Sequence, residues 1–263
     1  MLVGRVVKME VYFSSIDMQD DPRRWMFRLE DLGFAGWEII DEGSQSVSGM
    51  LDEIKELHET TNLKLSLHAP FSDLNIASLN DRIWEESVRQ IEESIERAYE
   101  YIEEICVIHP GIISPMAFKT PEKSRERSIT AIKRISRCAK ECGLSVAVEN
   151  MGRIIPLLGQ RPEELAAMLE AVGEDNVGIC FDTGHANTTK TLEGFLRLKE
   201  KIIHMHANDN HGDEDEHLAL GDGSIDWDNV FRSLAGYNGC VVVEVNSLED
   251  GIKSLEFLRG VKL

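Results

Sequence analysis

The strongest constraint on this chain is an alternation that runs its whole length. Short apolar runs recur between longer amphipathic segments, at residues 8–13, 36–40, 64–67, 105–108, 145–148, 177–181, 202–205 and 240–245. The runs are rich in Val, Ile and Leu and apolar on consecutive positions. That is the signature of strands covered on both faces, as in a parallel sheet.

The segments between the runs carry helix signals. The first opens at Asp21-Pro22, with proline in the first turn. The second spans 48–60, and the third, loaded with glutamate, spans 80–103. The fourth opens at Thr120-Pro121 and closes on Gly143 after Cys142, a glycine C-cap. The fifth opens at Arg161-Pro162, and the last three span 191–199, 226–234 and 247–259. Eight strand–helix units within 263 residues match one closed (β/α)₈ barrel of the α/β class, a TIM barrel filling 1–263 as a single domain. The competing architecture is a doubly wound open sheet. It wants a glycine-rich phosphate loop after the first strand, and none is present.

Composition narrows the function classes. With 42% hydrophobic residues the chain can bury a large core, yet no stretch approaches the roughly 18 apolar residues of a membrane span. Residues 1–9 show neither the apolar stretch nor the cleavage site of a secretory signal. The five cysteines form no CxxC pair, and Cys106, Cys180 and Cys240 fall in strand-like runs, where they read as small core residues. A cytoplasmic protein is expected. The net charge of −19 disfavours nucleic acid and membrane surfaces at long range. A homodimer through exposed helix faces is compatible with the pattern.

In such a barrel the active site lies at the carboxyl ends of the strands. The residues that follow the runs are chemically alike. They are His68-Ala69-Pro70, His109-Pro110-Gly111, Glu149-Asn150, Asp182-Thr183-Gly184-His185, His206-Ala207-Asn208-Asp209 and Glu244. The loop after the seventh run adds Asp215-Glu216-His217. Six consecutive strands thus deliver imidazole or carboxylate to one rim. Carboxylates crowded there repel each other unless a cation intervenes. Mixed His and carboxylate donors suit Zn²⁺ or Mn²⁺ better than the all-oxygen sites of Mg²⁺ or Ca²⁺.

Other residues read as structural. His58 is expected at a helix surface, His204 in a lower layer of the barrel interior, and His211 in solvent. Glu92, Glu93 and Glu96 read as a solvated helix face. Trp25, Trp37, Trp84 and Trp227 read as packing residues.

Taken in order, one per strand, the motifs resemble those of the xylose isomerase-like superfamily. It includes sugar phosphate isomerases and epimerases and the endonuclease IV-type AP endonucleases (AP endonuclease family 2). The resemblance runs from His68 to Glu244 and includes Leu220-Gly221-Asp222-Gly223. It implies a shared metal site of Glu149, Asp182, His206 and Glu244. In the isomerase branch such a metal binds substrate oxygens and stabilises an enediolate, while Glu149 and Glu244 shuttle a proton and His185 touches substrate. The endonuclease branch has three zinc ions. Carried over, they would use His68, His109 and Glu149; then Glu149, Asp182, His206 and Glu244; then His185, Asp215 and His217. The resemblance therefore implies one to three divalent ions, and a small sugar or abasic DNA as substrate.

The rim favours the sugar. Phe71 follows His68 as an aromatic candidate for substrate contact, but Ser72-Asp73-Leu74-Asn75 after it carries no base. The second-strand loop, Asp41-Glu42-Gly43-Ser44, is acidic, and the seventh-strand loop holds Asp209, Asp213, Glu214, Asp215 and Glu216. The basic rim candidates are Lys119, Arg153 and Arg161, of which Arg153 or Lys119 suits one substrate phosphate. A metal-dependent sugar or sugar-phosphate isomerase or epimerase is the expected function. A zinc-dependent phosphodiesterase acting on abasic DNA is the alternative.

Overall fold

The structure is a computed structural model describing residues 9–153 and 156–261. Eight strands close into one parallel barrel in chain order, β1 (Val11–Ser15), β2 (Gly36–Ile40), β3 (Lys64–His68), β4 (Ile105–Ile108), β5 (Ser145–Glu149), β6 (Val177–Asp182), β7 (Ile202–Ala207) and β8 (Val241–Val245). β1 pairs with both β2 and β8, which closes the ring. The (β/α)₈ expectation holds. β2 and β4 coincide with the apolar runs read from the sequence, whereas β3, β5, β6 and β7 continue past theirs into His68, Glu149, Asp182 and Ala207. Lys8 of the first run, and most of the segment read as lacking a signal, lie outside the described residues.

The α-helices are α1 (Leu29–Leu32), α2 (Val47–Thr60), α3 (Asp81–Ala98), α4 (Pro121–Glu141), α5 (Pro162–Val172), α6 (Thr183–Thr188), α7 (Leu192–Leu196), α8 (Trp227–Ser233) and α9 (Leu248–Gly260). Asn80 caps α3 by accepting from the backbone N–H of Arg82 and Ile83, as its side chain is suited to do. Among the described residues no helix is long and apolar enough to cross a membrane.

Two segments differ from expectation. The first unit is not one helix. It is two 3-10 turns, Pro22–Arg24 and Met26–Arg28, followed by the single turn of α1. The break is at Trp25 (φ −139°), whose indole N–H donates to Asp20 at 2.7 Å. Its ring wedges edge-on between Phe13 and Trp37, with centroids 5.0 and 5.5 Å away. Burying the indole takes precedence over helical dihedrals there. The second difference is α6, which follows β6 directly and was not anticipated because Thr183-Gly184 and Asn187-Thr188 are poor helix formers. It exists because Asp182 caps it.

Strand parity separates two interiors. Phe13, Trp37, Ile39, Leu65, Leu67, Val146, Val148, Phe181, Val241, Val243 and Val245 face outward, in one apolar layer with the buried faces of the helices. The alternate residues line the barrel. Glu38 is level with Ser66, His68 with Val107, Glu149 with Cys180, Cys180 with His204, Asp182 with His206, and Ser14 with Glu244. Among the described residues the apolar cluster inside is small, formed by Val107, Ala147 and Cys180. The hydrophobic driving force therefore lies in the layer between barrel and helices, and the barrel axis is left to polar groups. The four tryptophans are buried, as expected of packing residues.

Replacing Trp37 by Ala empties the centre of the outer layer. A loss of about 3–5 kcal/mol is expected for such a truncation. Chemical denaturation measures it; a loss under about 1 kcal/mol would show that the layer is not close-packed there.

Candidate metal centre

The expected rim residues converge. Glu149, at the end of β5, is buried, and its carboxylate is surrounded by imidazoles. Oε2 lies 2.9 Å from His109 Nε2 and 3.4 Å from His68 Nε2, while Oε1 lies 3.2 Å from both His206 Nδ1 and His185 Nδ1. His206 Nδ1 is also 3.6 Å from Glu244 Oε1 and 3.9 Å from Asp182 Oδ2. A third set closes beside this one, with Asp215 Oδ2 3.0 Å from His185 Nε2 and 3.4 Å from His217 Nε2. His217 Nδ1 returns to Glu244 Oε2 at 3.5 Å.

Among the described residues, three groups at the rim each gather donor atoms within 4.8 Å of one another: His68, His109 and Glu149; Glu149, Asp182, His206 and Glu244; and His185, Asp215 and His217. Donors bound tetrahedrally to one zinc at 2.0–2.1 Å are about 3.4 Å apart. The separations here bracket that value, so the residues fit a divalent ion. The chemistry agrees. His206 Nδ1 points at oxygens of Glu149, Asp182 and Glu244 together, an arrangement that suits a shared cation.

The electrostatics follow from burial. Burial works to raise the Glu149 pKa, but His206 and His109 outweigh it and hold the carboxylate well below its usual range. Asp182 goes the other way, to about 6, because burial combines with Glu149, Glu244 and Asp215 against the help of His185. Burial disfavours charged His185 and His206, yet the acidic neighbours lift both well above an ordinary imidazole. His217 is lifted to about 9, against burial, by Asp215 and Glu244. His109 is lowered because burial prevails over Glu149.

Local structure explains the motifs. In Asp182-Thr183-Gly184-His185 the Asp182 carboxylate accepts from the His185 backbone N–H at 2.6 Å. Its other oxygen accepts from Asn208 Nδ2 at 2.9 Å. Gly184 is required because a Cβ there would overlap the Asn208 side chain. Asn150 fixes the same strand end, accepting from the Asp182 N–H at 2.8 Å and donating to its carbonyl at 2.9 Å. The loop from β7 to α8 is stapled by buried Asp209. It accepts from the N–H groups of Asn210, Gly221 and Ile225 and from the indole of Trp227, at 2.8–3.2 Å. An antiparallel bridge from Asp209 to Leu218 completes the loop. Beside it His217 holds φ +48°, an uncommon conformation for a non-glycine residue, and its Nδ1 reaches the Glu244 carbonyl at 3.2 Å.

The remaining expected residues fall nearby. Phe71 packs against the imidazoles, its ring tilted by 31° at 4.5 Å from that of His109 and edge-on at 5.1 Å from that of His68. Arg153 is exposed at the rim and donates to the Asp213 carbonyl at 3.1 Å, which ties the β5 loop to the β7 loop. Lys119 and Arg161 are exposed. His211 is exposed and paired with Glu216, and His58 is exposed, as read from the sequence. Glu92 does not merely face solvent; it forms an ion pair with Arg134.

One functional candidate was missed. Glu38, in the middle of β2, is fully buried inside the barrel between His204 and His206. The signal was present: a lone carboxylate within Gly36-Trp37-Glu38-Ile39-Ile40. Buried carboxylates are rarely unpaired, so that position calls for a cationic or hydrogen-bonding partner.

Comparison with known proteins places this geometry. Residues 27–261 match the family model described as the xylose isomerase-like TIM barrel. The chain belongs to that family. A solved structure described as a D-tagatose 3-epimerase-like protein is 33% identical, with a TM-score of 0.89, covering 95% of this chain and 96% of its own. The D-psicose 3-epimerase of Ruminiclostridium cellulolyticum is 24% identical over 239 residues, 87% of this chain and 79% of the relative. The probable endonuclease 4 of Mycobacterium tuberculosis is 24% identical over 211 residues, 76% of this chain and 80% of the relative.

Metal uptake should release protons. The lifted pKa values of His185, His206 and His217 mean that these imidazoles hold protons at pH 7 when no ion is present, and ligation requires them neutral. Loading zinc at pH 7 in weak buffer is expected to acidify the solution, with less release above pH 9, and affinity is expected to fall as the pH is lowered. Uptake at pH 7 without proton release would contradict the assignment of these ligands.

Proposed function

We propose that the protein is a divalent-metal-dependent isomerase or epimerase of a sugar or sugar phosphate, using zinc or manganese. The observation that carries this reading is the pair Glu149 and Glu244. These carboxylates stand three strands apart around the barrel, at 3.2 and 3.6 Å from His206 Nδ1, within one four-residue metal group. A bound divalent ion would supply positive charge to the substrate's carbonyl and hydroxyl oxygens. Glu149, Asp182, His206 and Glu244 would hold it.

The protein's own groups supply the rest. Glu149 and Glu244 would divide the proton transfer: one would take a proton from a substrate carbon, and a proton would be returned to the opposite face of that carbon in epimerisation or to the neighbouring carbon in isomerisation. His185 is held through Nδ1 on the Asn150 carbonyl, and its Nε2 would touch a substrate hydroxyl by exchanging its contact with Asp215. Phe71, over His68 and His109, offers an apolar wall. The printed names of the D-tagatose 3-epimerase-like structure and the D-psicose 3-epimerase support a small polyol substrate. The rim adds to this, since Asp73, Asp213 and Glu214 are exposed there and Arg153 is engaged with Asp213. A phosphodiester backbone gains little from such a surface.

A specific observation favours a second reading, a zinc-dependent phosphodiesterase acting on abasic DNA. Beyond the four-residue group, His68 and His109 with Glu149, and His185 with Asp215 and His217, form two more donor sets. One ion leaves these without an evident use, whereas several ions suit displacement at phosphorus. The endonuclease 4 relative accords with it.

Exchange of a carbon-bound substrate proton with solvent deuterium, followed by NMR across ketoses and their phosphates, separates the readings. The first expects exchange that falls at least about 10²-fold in Glu244→Gln. Failure of the whole panel, together with incision of abasic duplex DNA in chelator-free buffer, would replace it with the second.

A further inference from the structure

Beneath the metal centre, the barrel axis holds a polar group that the proposed chemistry does not use. Glu38 Oε1 lies 2.7 Å from His206 Nε2, and Glu38 Oε2 lies 2.7 Å from His204 Nε2. All three residues are fully buried. Ser66 Oγ donates to Glu38 Oε2 at 2.9 Å, and His204 Nδ1 is 3.5 Å from Cys240 Sγ. The Glu38–His206 approach is an ion-pair contact off hydrogen-bond geometry, and neither Glu38 Oε1 nor His206 Nε2 has a hydrogen-bonding partner among the described residues.

The three residues can be read as a further metal group. The distances argue otherwise. At 2.7 Å both pairs are closer than the roughly 3.4 Å between ligands on one tetrahedral zinc. The His204 pair is a charge-assisted N–H···O bond, and the His206 pair is an ion-pair contact of the same length. The surroundings also suit an ionised carboxylate, since Ser66 Oγ and His204 Nε2 converge on Oε2 and His206 Nε2 on Oε1. An ionised carboxylate only accepts, so each imidazole facing it at 2.7 Å presents an N–H at Nε2. For a neutral His206 this leaves Nδ1, the nitrogen facing Glu149, Asp182 and Glu244, with its lone pair for a metal.

We infer that Glu38 is a positioning residue for the metal centre: it holds His206 in the ring orientation and tautomer that turn Nδ1 toward the ion, and His204 and Ser66 hold Glu38. Carboxylates that orient ligating histidines from behind act this way in metal sites generally, and their removal costs about 10–100-fold in affinity. The inference rests on an ion bound by His206 and is independent of whether the reaction is isomerisation or hydrolysis.

A double-mutant cycle tests it. Zinc affinity is measured by competition with a chelating dye for wild type, Glu38→Gln, His206→Ala and the double variant, with apoprotein melting recorded for each. Gln retains one acceptor oxygen for two imidazoles, so it cannot serve both. Glu38→Gln is expected to weaken zinc binding about 10–100-fold, and to change it less than about 3-fold when His206 is already Ala. Unchanged affinity in Glu38→Gln would overturn the proposal. So would an equal loss in both backgrounds, which would show that Glu38 acts through its charge or through the general fold. If Glu38→Gln does not fold, Ser66→Ala takes its place, with a smaller loss that again disappears in the His206→Ala background. Persistence of that loss would likewise overturn the proposal. None of these readouts depends on substrate turnover, so failure here is distinguishable from failure of the proposed reaction.

Discussion

The structure depends on the mutual neutralisation of buried acid and imidazole inside the barrel. Glu38, Glu149, Asp182 and Glu244 are buried, and Asp215 nearly so, alongside His68, His185, His204, His206 and His217. Each carboxylate removed from water costs several kcal/mol unless its charge is met nearby. The imidazoles meet part of it. They meet it unequally: four imidazoles lie within 3.4 Å of the Glu149 carboxylate, whereas those nearest the Asp182 carboxylate are 3.7 and 3.9 Å away. Divalent ions held by these groups would supply the remainder, which would link metal binding to the fold.

That arrangement is tolerated because the apolar packing lies elsewhere. The outward-facing strand residues and the helices form the large core, with Phe13, Trp25 and Trp37 stacked edge to face at one side. The barrel interior can then carry polar groups along its axis, from Cys240 and His204 up through Glu38 to His206 and the rim. Rim geometry is fixed from outside as well. Asp209 locks the loop that carries Asp215 and His217, while Asn150 and Asn208 clamp Asp182. The positive φ of His217 shows how firmly this loop is held.

Much of this was legible in the sequence, for a physical reason. A parallel strand covered on both faces has to be apolar, so its end is marked where a His, Glu or Asp interrupts the run. Glu149, Asp182 and His206 each marked such an end, and the order of marks gave both barrel and rim. What sequence patterning obscured was the inside of the strands. Glu38 sits in mid-run, between Trp37 and Ile39, where its apolar neighbours mask it. Its partners lie 166 residues away in His204 and further still in His206, and only barrel closure brings them together. The first helix failed because propensity and a proline signal said nothing of where the Trp25 indole would be buried. α6 was obscured because its stability comes from the Asp182 cap, not from its composition. Phe71 was read as an aromatic candidate for substrate contact; its packing against His68 and His109 is a relation visible only in three dimensions.

The centre groups its donors into three sets, and Glu149 bridges two of them. Anomalous diffraction at the zinc edge, from crystals of protein equilibrated with zinc, tests the central claim most directly. The expected result is a peak enclosed by Glu149, Asp182, His206 and Glu244, with any further peaks beside His68 and His109 or beside His185, Asp215 and His217. An empty four-residue position, or zinc held only on surface acids, would contradict it.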